Sequence, residues 1–467
     1  MKSLNFLLHV ITFNIDKMQD RETESNLMRD FQNVWHPCTQ HKEFESIKPL
    51  LVERAEGVCL FDKQGKGYID AISSWWVNLF GHNHPRLNAA LKNQLDKMAH
   101  VMFAGITHQP AIDLASSLVK LSPENLSKVF FSDNGSTSVE VALKMSLQYW
   151  QQTGSENKTR FIYLKSGYHG ETLGALSVCG LDIFRNKFEK VLPKNLEVEG
   201  PDCFRCLYGL NRDSCNAECF DPMEKALAGK DIAGVIIEPL VQGAAGMKIY
   251  PPVYLKKLQS ACDSHSVHLI FDEIAVAFGR TGSLFVSGEL DLQPTFLCLS
   301  KGITSGYLPL AATLTTDEIY SAFYDDYSSW KLFIHSHSYS ANPLACSVAN
   351  ETLAMLSEDN FMATLTPKIS LMKQMGQQIF EGSKWCGEFR QQGMIAALEL
   401  VEHKDDKKPF PLENRMGYKI YLEALKRGVF LRPLGDVIYF IPPLVINEDE
   451  IKKMMDTAQE CIAVVLD

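Results

Sequence analysis

The sequence lacks the surplus of positive charge that a nucleic-acid-binding protein needs. Its 46 lysine and arginine residues are outnumbered by 56 aspartates and glutamates, which gives a formal net charge of -10. Neutralising a phosphate backbone takes clustered Lys and Arg on one face. We therefore expect no nucleic-acid partner.

The chain also lacks a long hydrophobic run. The apolar stretch at residues 4–15 is interrupted by His9 and Asn14, and it is well short of the roughly 20 residues of a membrane span. No small-x-small cleavage site follows it, which argues against a signal peptide. We expect a cytoplasmic protein without a membrane partner. Residues 1–20 would then be an N-terminal extension whose order the sequence does not decide, with Met18 as an alternative start.

Cysteine is too sparse for a disulfide framework, because 12 cysteines are spread over 467 residues. A reducing cytosol fits this usage. Four of them lie close together in "CFRCLYGLNRDSCNAEC" with the spacing C-x2-C-x8-C-x3-C, which is compatible with tetrahedral zinc and less so with an iron–sulfur cluster. The loop is shorter than common zinc-ribbon spacings, and the segment lies away from the catalytic motifs described below. We expect no bound metal, and the only candidate ligands are Cys203, Cys206, Cys215 and Cys219.

Short apolar runs, each followed by a longer amphipathic stretch, predict an α/β fold with a mostly parallel central sheet. The runs are "KVFFSD", "RFIYLK", "GVIIEP", "VHLIFDEI", "TFLCLS" and "LAATLTT". After the first run, Asn134 to Ser136 would form a turn, and the spacing of Thr137 and Glu140 matches a capping box.

The length exceeds that of one ordinary hydrophobic core, so we expect two domains. Residues 86–345 would form the large domain. Residues 21–85 contain the hairpin-like "GVCLFDKQGKGYIDA", and residues 346–467 contain "GMIAALEL" and "VIYFIPPLV". Neither end is long enough for a stable core alone, so we expect both to fold together as a smaller α+β domain.

Two charged residues follow neighbouring strands of the predicted sheet. Asp272 ends "VHLIFD", and Lys301 lies 29 positions later, after "TFLCLS". A carboxylate at the edge of such a sheet can hold a pyridinium charged, and a partly buried lysine with a lowered pKa readily forms a Schiff base. The plain alternatives are an Asp that caps the next helix and an exposed loop lysine.

A phosphate site is predicted at Asn134 to Thr137, where a glycine, hydroxyl groups and free amides meet at a helix N-terminus. Tyr168 in "GYHGET" could lie on a flat heteroaromatic ring, although a tyrosine flanked by glycines is also common in loop packing. Together with Asp272 and Lys301, these features fit pyridoxal 5'-phosphate.

The motifs "IFDEIAVAFGRTG", "LSKGITSGYLPLAA" and "EPLVQGAAGM" resemble those of class III aminotransferases of PLP fold type I, over roughly residues 30–460. The resemblance implies that Lys301 binds the cofactor covalently and serves as base, that Asp272 holds the pyridine nitrogen and that Tyr168 stacks on the ring. Gly135 and Ser136 would bind the phosphate.

The same resemblance implies a homodimer with shared active sites, in which Ser338 reaches the phosphate of the neighbouring subunit. Trp75, Trp76 and Tyr439 would line the substrate pocket, and Arg432 would pair with a substrate carboxylate. Adjacent residues of a strand face opposite sides, so we also expect one of the two tryptophans to be exposed at a pocket.

Within the family, "WHPCTQ", "SSWWVNLFGHNHP" and "LRPLGDVIYFIPP" resemble members that convert 8-amino-7-oxononanoate to 7,8-diaminononanoate in biotin biosynthesis. S-adenosylmethionine is the expected amino donor, with lysine as the alternative, because "HSHSYSANP" resembles the branch in which some members use lysine. Cys38 stands where the family usually has Tyr or Phe near the donor site. Glu171 replaces a common Asp, and Ser338 replaces a frequent Thr.

Two other functions remain open from the sequence. One is another class III ω-amino-acid aminotransferase, against which the paired tryptophans and "RPLGDVIYFIPP" argue. The other is a non-catalytic PLP-binding or metal-binding regulatory protein, in which the cysteine cluster would be the working part. The presence of both Lys301 and Asp272 favours an enzyme.

Overall fold

The computed structural model describes residues 21–467; the predicted N-terminal extension and the alternative start at Met18 lie outside the described residues. The strands are β1 (Val52–Glu56), β2 (Cys59–Asp62), β3 (Gly67–Asp70), β4 (Leu126–Ser132), β5 (Arg160–Leu164), β6 (Leu196–Val198), β7 (Ile232–Ile237), β8 (Val241–Gln242), β9 (Lys248–Ile249), β10 (His268–Asp272), β11 (Phe296–Leu299), β12 (Ala311–Thr316), β13 (Cys386–Gln392), β14 (Ile395–Leu400), β15 (Val429–Phe430) and β16 (Val437–Phe440).

The helices begin with α1, which takes in described residues 21–33. It is followed by α2 (Ser73–Trp76), α3 (Pro85–Leu95), α4 (Gln109–Leu121), α5 (Gly135–Gln152), α6 (Leu173–Leu176), α7 (Asp182–Arg185), α8 (Asp221–Leu227), α9 (Pro252–His265), α10 (Val286–Glu289), α11 (Asp317–Ser321), α12 (Pro343–Leu356), α13 (Leu365–Gly382), α14 (Met416–Lys426) and α15 (Glu448–Leu466). Within residues 21–467, no helix is long and apolar enough to cross a membrane.

The centre of the fold is a seven-stranded sheet with the order β4-β12-β11-β10-β7-β5-β6. The neighbours from β11 to β6 run parallel, and only β12 is antiparallel to both of its neighbours. Strands β7, β10 and β11 are buried along their whole length, as expected where helices cover both faces of a parallel sheet. The predicted α/β fold with a mostly parallel sheet is confirmed. All six predicted strands belong to this sheet, and the strand that was missed is the three-residue β6.

The register of the sheet brings the two candidate catalytic residues to one edge. Asp272, the last residue of β10, pairs with Cys298 of the parallel strand β11. Lys301 lies three residues after Cys298, just beyond the carboxyl end of β11. Ligands of α/β proteins usually bind at this edge, beyond the carboxyl ends of the strands.

Helix α5 starts beside this edge, but its predicted cap was wrong. Asn134 is the N-cap: its side chain accepts a hydrogen bond from the Thr137 amide at 3.1 Å, and the Thr137 hydroxyl accepts one from the Asn134 amide at 3.0 Å. Glu140 instead accepts hydrogen bonds from the amides of Gly174 and Ala175. Asn is as good an N-cap as Ser or Thr, so the sequence pattern starts three residues earlier than predicted.

The two ends of the chain share one sheet. Strands β1, β2 and β3 form an antiparallel meander, and β15 pairs in parallel with β3 through Val429 and Ile69. A separate three-stranded sheet consists of β13, β14 and β16. The contact between β3 and β15 is of the kind expected for a small domain built from both ends, while the domain limits themselves stay a prediction.

Candidate active site

A cavity of about 680 Å³ lies where β10 and β11 end and α5 begins. Several of the predicted site residues line it, and so does Glu238, which was not among them. The lining includes Trp76, Ser136, Tyr168, Glu238, Asp272 and Lys301.

Asp272 is 4% exposed and holds a histidine that sequence analysis missed. One carboxylate oxygen contacts Nδ1 of His169 at 2.7 Å, and the other accepts a hydrogen bond from the amide of Ile274 at 3.2 Å. Nε2 of His169 is buried and has no hydrogen-bond partner among the described residues. His169 is the neighbour of Tyr168 in "GYHGET", so its position beside a predicted site residue was the only signal in the sequence.

Lys301 is partly buried rather than an exposed loop lysine. Its Nζ lies 4.2 Å from the centre of the Trp76 ring. Burial, with Arg280 adding to it, lowers the pKa of Lys301 to about 8 against the opposing effects of Asp272 and Glu238. More of this amine is therefore unprotonated near neutral pH than of an ordinary lysine, and the unprotonated form is the one that attacks an aldehyde.

The first turn of α5 supplies free amides to the cavity. The first amides of a helix have no acceptor within the helix, and the Asn134 side chain takes only that of Thr137. Gly135 and Ser136 are among the residues that line the cavity. Opposite them, Gly170 has φ +122, and a Cβ on it would lie 2.8 Å from Cα of Ser136. The backbone between Tyr168 and Glu171 thus approaches the helix start closely only because residue 170 is glycine.

Tyr168 is held at both ends. Its amide donates to Oε2 of Glu238 at 2.9 Å, and its hydroxyl donates to Oε1 of Glu171 at 2.8 Å. Burial and the neighbouring Glu171 carboxylate raise the pKa of Tyr168 well above its usual value. The phenol therefore stays protonated and acts as a hydrogen-bond donor.

The two tryptophans do not lie on a strand, so that part of the prediction was wrong. They end α2, in which all four residues have positive φ, including Trp75 at +81 and Trp76 at +73. Trp76 is 4% exposed and lines the cavity, and its Nε1 donates to the hydroxyl of Tyr439 at 3.2 Å. Trp75 is 41% exposed and lies outside the cavity lining.

Arg432 covers Trp75, with its Cζ 4.4 Å from the centre of the ring. Burial and the Glu171 carboxylate raise the pKa of the Cys38 thiol, while the Arg432 guanidinium lowers it. Both charged groups are therefore within electrostatic range of Cys38.

Ser338 does not line the cavity of this single chain. It is exposed, and its carbonyl accepts a hydrogen bond from Nε2 of His100 at 2.6 Å. Its neighbour His337 contacts the carboxylate of Asp133, which does line the cavity, at 2.6 Å. A phosphate contact by Ser338 stays a prediction.

The residues present fit pyridoxal phosphate. The amides at the start of α5 are free to bind a phosphate, Asp272 is a buried carboxylate in the same cavity, and Lys301 is an amine with a lowered pKa. These three groups are the anchors that a phosphate, a pyridine nitrogen and an aldehyde require.

The four clustered cysteines surround a second cavity of about 200 Å³. No three His, Cys, Asp or Glu side chains of residues 21–467 converge so as to hold a metal ion. Burial raises the pKa of Cys203 to about 12 and that of Cys219 to about 11, so both are thiols at neutral pH. The expectation that this segment lies away from the catalytic motifs was wrong, because Lys165 and Ser166, just before Tyr168, also line this cavity.

Residues 40–462 match the family model of class III aminotransferases. Three relatives are named adenosylmethionine-8-amino-7-oxononanoate aminotransferase. The chain is 42% identical to that of Geobacter sulfurreducens, covering 95% of this chain and 99% of the relative. It is 44% identical to that of Aquifex aeolicus, covering 93% and 96%, and 40% identical to that of Methanocaldococcus jannaschii, covering 96% and 99%.

Solved structures give the same result. The crystal structure of adenosylmethionine-8-amino-7-oxononanoate aminotransferase from Methanocaldococcus jannaschii superimposes with a TM-score of 0.89 at 38% identity, covering 95% of this chain and 100% of that one. A PLP-bound amine transaminase from an uncultivated Pseudomonas species superimposes with a TM-score of 0.87 at 32% identity, covering 93% and 99%.

Proposed function

The chain belongs to the class III aminotransferases, and from this premise we propose that it converts 8-amino-7-oxononanoate to 7,8-diaminononanoate in biotin biosynthesis. It is a pyridoxal-phosphate-dependent transaminase. The donor amine becomes a carbonyl, and the 7-keto group of the acceptor becomes an amine. The observation that carries the proposal is the placement of Lys301, with its lowered pKa, in one cavity with the buried Asp272 and the free start of α5.

Pyridoxal phosphate supplies an aldehyde that carries the amino group between the two substrates and a ring that withdraws electrons from the reacting carbon. Lys301 would hold the cofactor through its aldehyde and would serve as the base that takes and returns the proton of the reacting carbon. Asp272 would hold the ring nitrogen in its protonated form. His169 contacts Asp272 at 2.7 Å and fixes its orientation.

The remaining cofactor contacts come from the two loops that meet at the start of α5. Gly135 and Ser136 would bind the phosphate through backbone amides and the Ser136 hydroxyl. Tyr168 would stack on the ring, and the hydrogen bond from its amide to Glu238 helps to position it.

A long aliphatic amino-ketone needs an apolar channel that ends in a cation. Trp76 lines the cavity with Tyr439 hydrogen-bonded to its indole, while Trp75 and the Arg432 that covers it lie outside the lining. No ion pair to Arg432 is described for residues 21–467, and its planar group suits a carboxylate through a bidentate contact.

S-adenosylmethionine is the proposed amino donor, with lysine as the alternative. Both donors carry a cationic group, and the Glu171 carboxylate, which lines the cavity and accepts a hydrogen bond from the Tyr168 hydroxyl at 2.8 Å, is a candidate partner for it. Direct assay with each donor decides between them.

The enzyme is proposed to be a cytoplasmic homodimer. Cytoplasmic placement is supported by the cysteines, because every one from Cys38 to Cys461 is a free thiol, as a reducing compartment would leave it. Ser338 would act on the site of the neighbouring subunit. Mixing Lys301→Ala and Ser338→Ala subunits tests this. If Ser338 serves the site of the neighbouring subunit, the hybrid dimer has one intact site, which combines Lys301 of the Ser338→Ala subunit with Ser338 of the Lys301→Ala subunit. Recovery of activity on mixing supports exchange, and absence of recovery contradicts it.

The function is tested by measuring 7,8-diaminononanoate formed from 8-amino-7-oxononanoate with S-adenosylmethionine, lysine or 4-aminobutyrate as donor. Lys301→Ala should abolish turnover, while Lys373→Ala, an exposed lysine on α13, should leave it unchanged. Turnover only with 4-aminobutyrate and simple ketones would identify an ω-amino-acid aminotransferase, an activity close to the "omega transaminase" of Pseudomonas jessenii, whose structure has a TM-score of 0.89. Binding of pyridoxal phosphate without any turnover would indicate a non-catalytic protein.

A further inference from the structure

Glu238 is a buried carboxylate in the active-site cavity, and it is not one of the proposed catalytic or cofactor-binding residues. It follows β7 and is 5% exposed. Oε2 accepts a hydrogen bond from the Tyr168 amide at 2.9 Å, and Oε1 accepts one from the Gly243 amide at 2.9 Å. The side chain thus joins two backbone segments that are far apart in the chain.

The first of these segments is residues 165–170, which we name the Tyr168 strap. It contains Tyr168 and His169, and it has positive φ at Ser166 and Gly170. Among the described residues, two further side-chain bonds join this strap to the hairpin of β8 and β9: Nε2 of Gln242 donates to the carbonyl of Lys165 at 3.2 Å, and Nζ of Lys248 donates to the hydroxyl of Ser166 at 3.4 Å. An irregular backbone of this kind depends on such bonds for its position.

The second segment is the turn after β8. A Cβ on Gly243 would lie 3.1 Å from the Trp76 ring, so this turn packs against the indole that faces Lys301. Glu238 therefore connects the backbone of the proposed ring-stacking residue with the support of the proposed substrate wall.

Both of its bonds need the ionised carboxylate. Each oxygen faces a backbone N–H, and a protonated carboxyl would present an O–H donor to one of them, which would break that bond. The groups that face Glu238 include two of opposite effect: the carboxylate of Asp272 disfavours its charge, and His169 favours it. The other titratable neighbours are Cys179, Tyr250 and Lys301.

We propose that Glu238 is a positioning residue: its ionised carboxylate ties the Tyr168 strap to the turn after β8, and protonation of that carboxylate releases the strap. The inference rests on the proposed role of Tyr168 beside the cofactor. Glu238 is not a proton carrier for the reaction, because both of its oxygens are occupied by backbone amides.

The pH window follows from the sign of the shift. Burial, with Asp272 adding to it, raises the pKa of Glu238 to about 7. The two bonds are therefore intact above pH 7 and are lost as the pH falls through 7, well above the ordinary range of a glutamate.

Hydrogen exchange measured by mass spectrometry on the full chain loaded with pyridoxal phosphate tests the proposal. After correction for intrinsic chemistry, the peptide containing residues 166–170 should exchange about tenfold faster at pH 6 than at pH 8.5. In Glu238→Gln, whose amide nitrogen cannot accept a bond, that peptide should exchange fast at both values.

Glu273→Gln is the matched control, because Glu273 is also fully buried and accepts two backbone amides, those of Val286 and Ser287, in another part of the fold. It should speed exchange at residues 286–287 and leave the strap unchanged. Equal strap exchange of the wild type at pH 6 and 8.5 would overturn the proposal, even if Glu238→Gln failed to fold. None of these readings depends on turnover, so a failure of the proposed reaction would be seen separately.

Discussion

Gly170→Ala is the sharpest test of how the cofactor site is assembled. Gly170 has φ +122, a conformation that side chains rarely adopt, and an added Cβ would meet Ser136 with 2.7 Å to its Cβ and 2.8 Å to its Cα. Ser136 is in the first turn of α5, so it cannot move without moving the proposed phosphate site. The substitution therefore forces the loop and the helix start apart.

The expected cost has two parts. A non-glycine residue in a rare backbone region costs about 1–3 kcal/mol, and overpacking a tight contact costs about another 1–3 kcal/mol. Gly154→Ala separates them, because Gly154 also has positive φ, +83, but nothing lies within 4 Å of its added Cβ. The free-energy cost of the rare backbone conformation applies to both variants, and the cost of the close contact applies only to Gly170→Ala.

The assay is a titration of the apoprotein with pyridoxal phosphate, followed by absorbance, together with unfolding in urea. If the free-energy cost of the close contact weakens cofactor binding, the Kd of Gly170→Ala for pyridoxal phosphate should be about 5- to 150-fold above that of Gly154→Ala. The Kd of Gly154→Ala should match that of the wild type. A Kd for Gly170→Ala within twofold of this control would refute the close approach of the Gly170 backbone to α5.

Three further changes have defined outcomes. Lys301 has a pKa of about 8, so the rate of reconstitution with pyridoxal phosphate should rise about tenfold per pH unit up to 8 and then level off; a continued rise to pH 10 would show an ordinary lysine. Tyr439→Phe leaves the buried N–H of Trp76 without an acceptor, which should lower the free energy of unfolding by about 1–3 kcal/mol. The control is Tyr254→Phe, which removes a buried hydroxyl that has no partner among the described residues. It should change the free energy of unfolding by less than about 0.5 kcal/mol. Asp272→Asn should reduce kcat about a hundredfold or more, measured as 7,8-diaminononanoate formed, and an unchanged kcat would remove its proposed role.

The sheet and its functional edge were predictable because they depend on local patterns. Continuous apolar runs identify buried parallel strands, and "VHLIFD" and "TFLCLS" became the neighbours β10 and β11. Once two strands are parallel neighbours, residues that follow their carboxyl ends are close. That is why Asp272 and Lys301 could be paired from sequence alone.

Contacts between distant loops were not predictable in the same way. The bond between His169 and Asp272 joins residues 103 positions apart, and that between Trp76 and Tyr439 joins residues 363 apart. Neither His169 nor Glu238 is part of an apolar pattern, and each has an ordinary role in a loop as the simpler explanation. Their function depends on which loops lie next to each other. The order of the strands in the sheet decides this.

The turn at α2 shows the limit most clearly, because its sequence "SSWW" contains no residue that favours a left-handed backbone. Ser73, Ser74, Trp75 and Trp76 have φ values of +51, +48, +81 and +73. A left-handed conformation costs about 1–2 kcal/mol for each such residue. A prediction from local preferences would therefore never choose it.

The surrounding structure supplies what the local sequence does not. Asp70 accepts hydrogen bonds from the Ser74 amide at 2.9 Å and the Ser74 hydroxyl at 2.7 Å, and the Ser73 hydroxyl donates to the carbonyl of Ile441 at 2.6 Å. These bonds tie the turn to β3 and to the strand end after β16, so both ends of the chain hold it. Backbone strain that persists only because its surroundings enforce it is concentrated at functional sites. Here the enforced turn carries Trp76 into the cavity against Lys301 and leaves its neighbour Trp75 outside the lining.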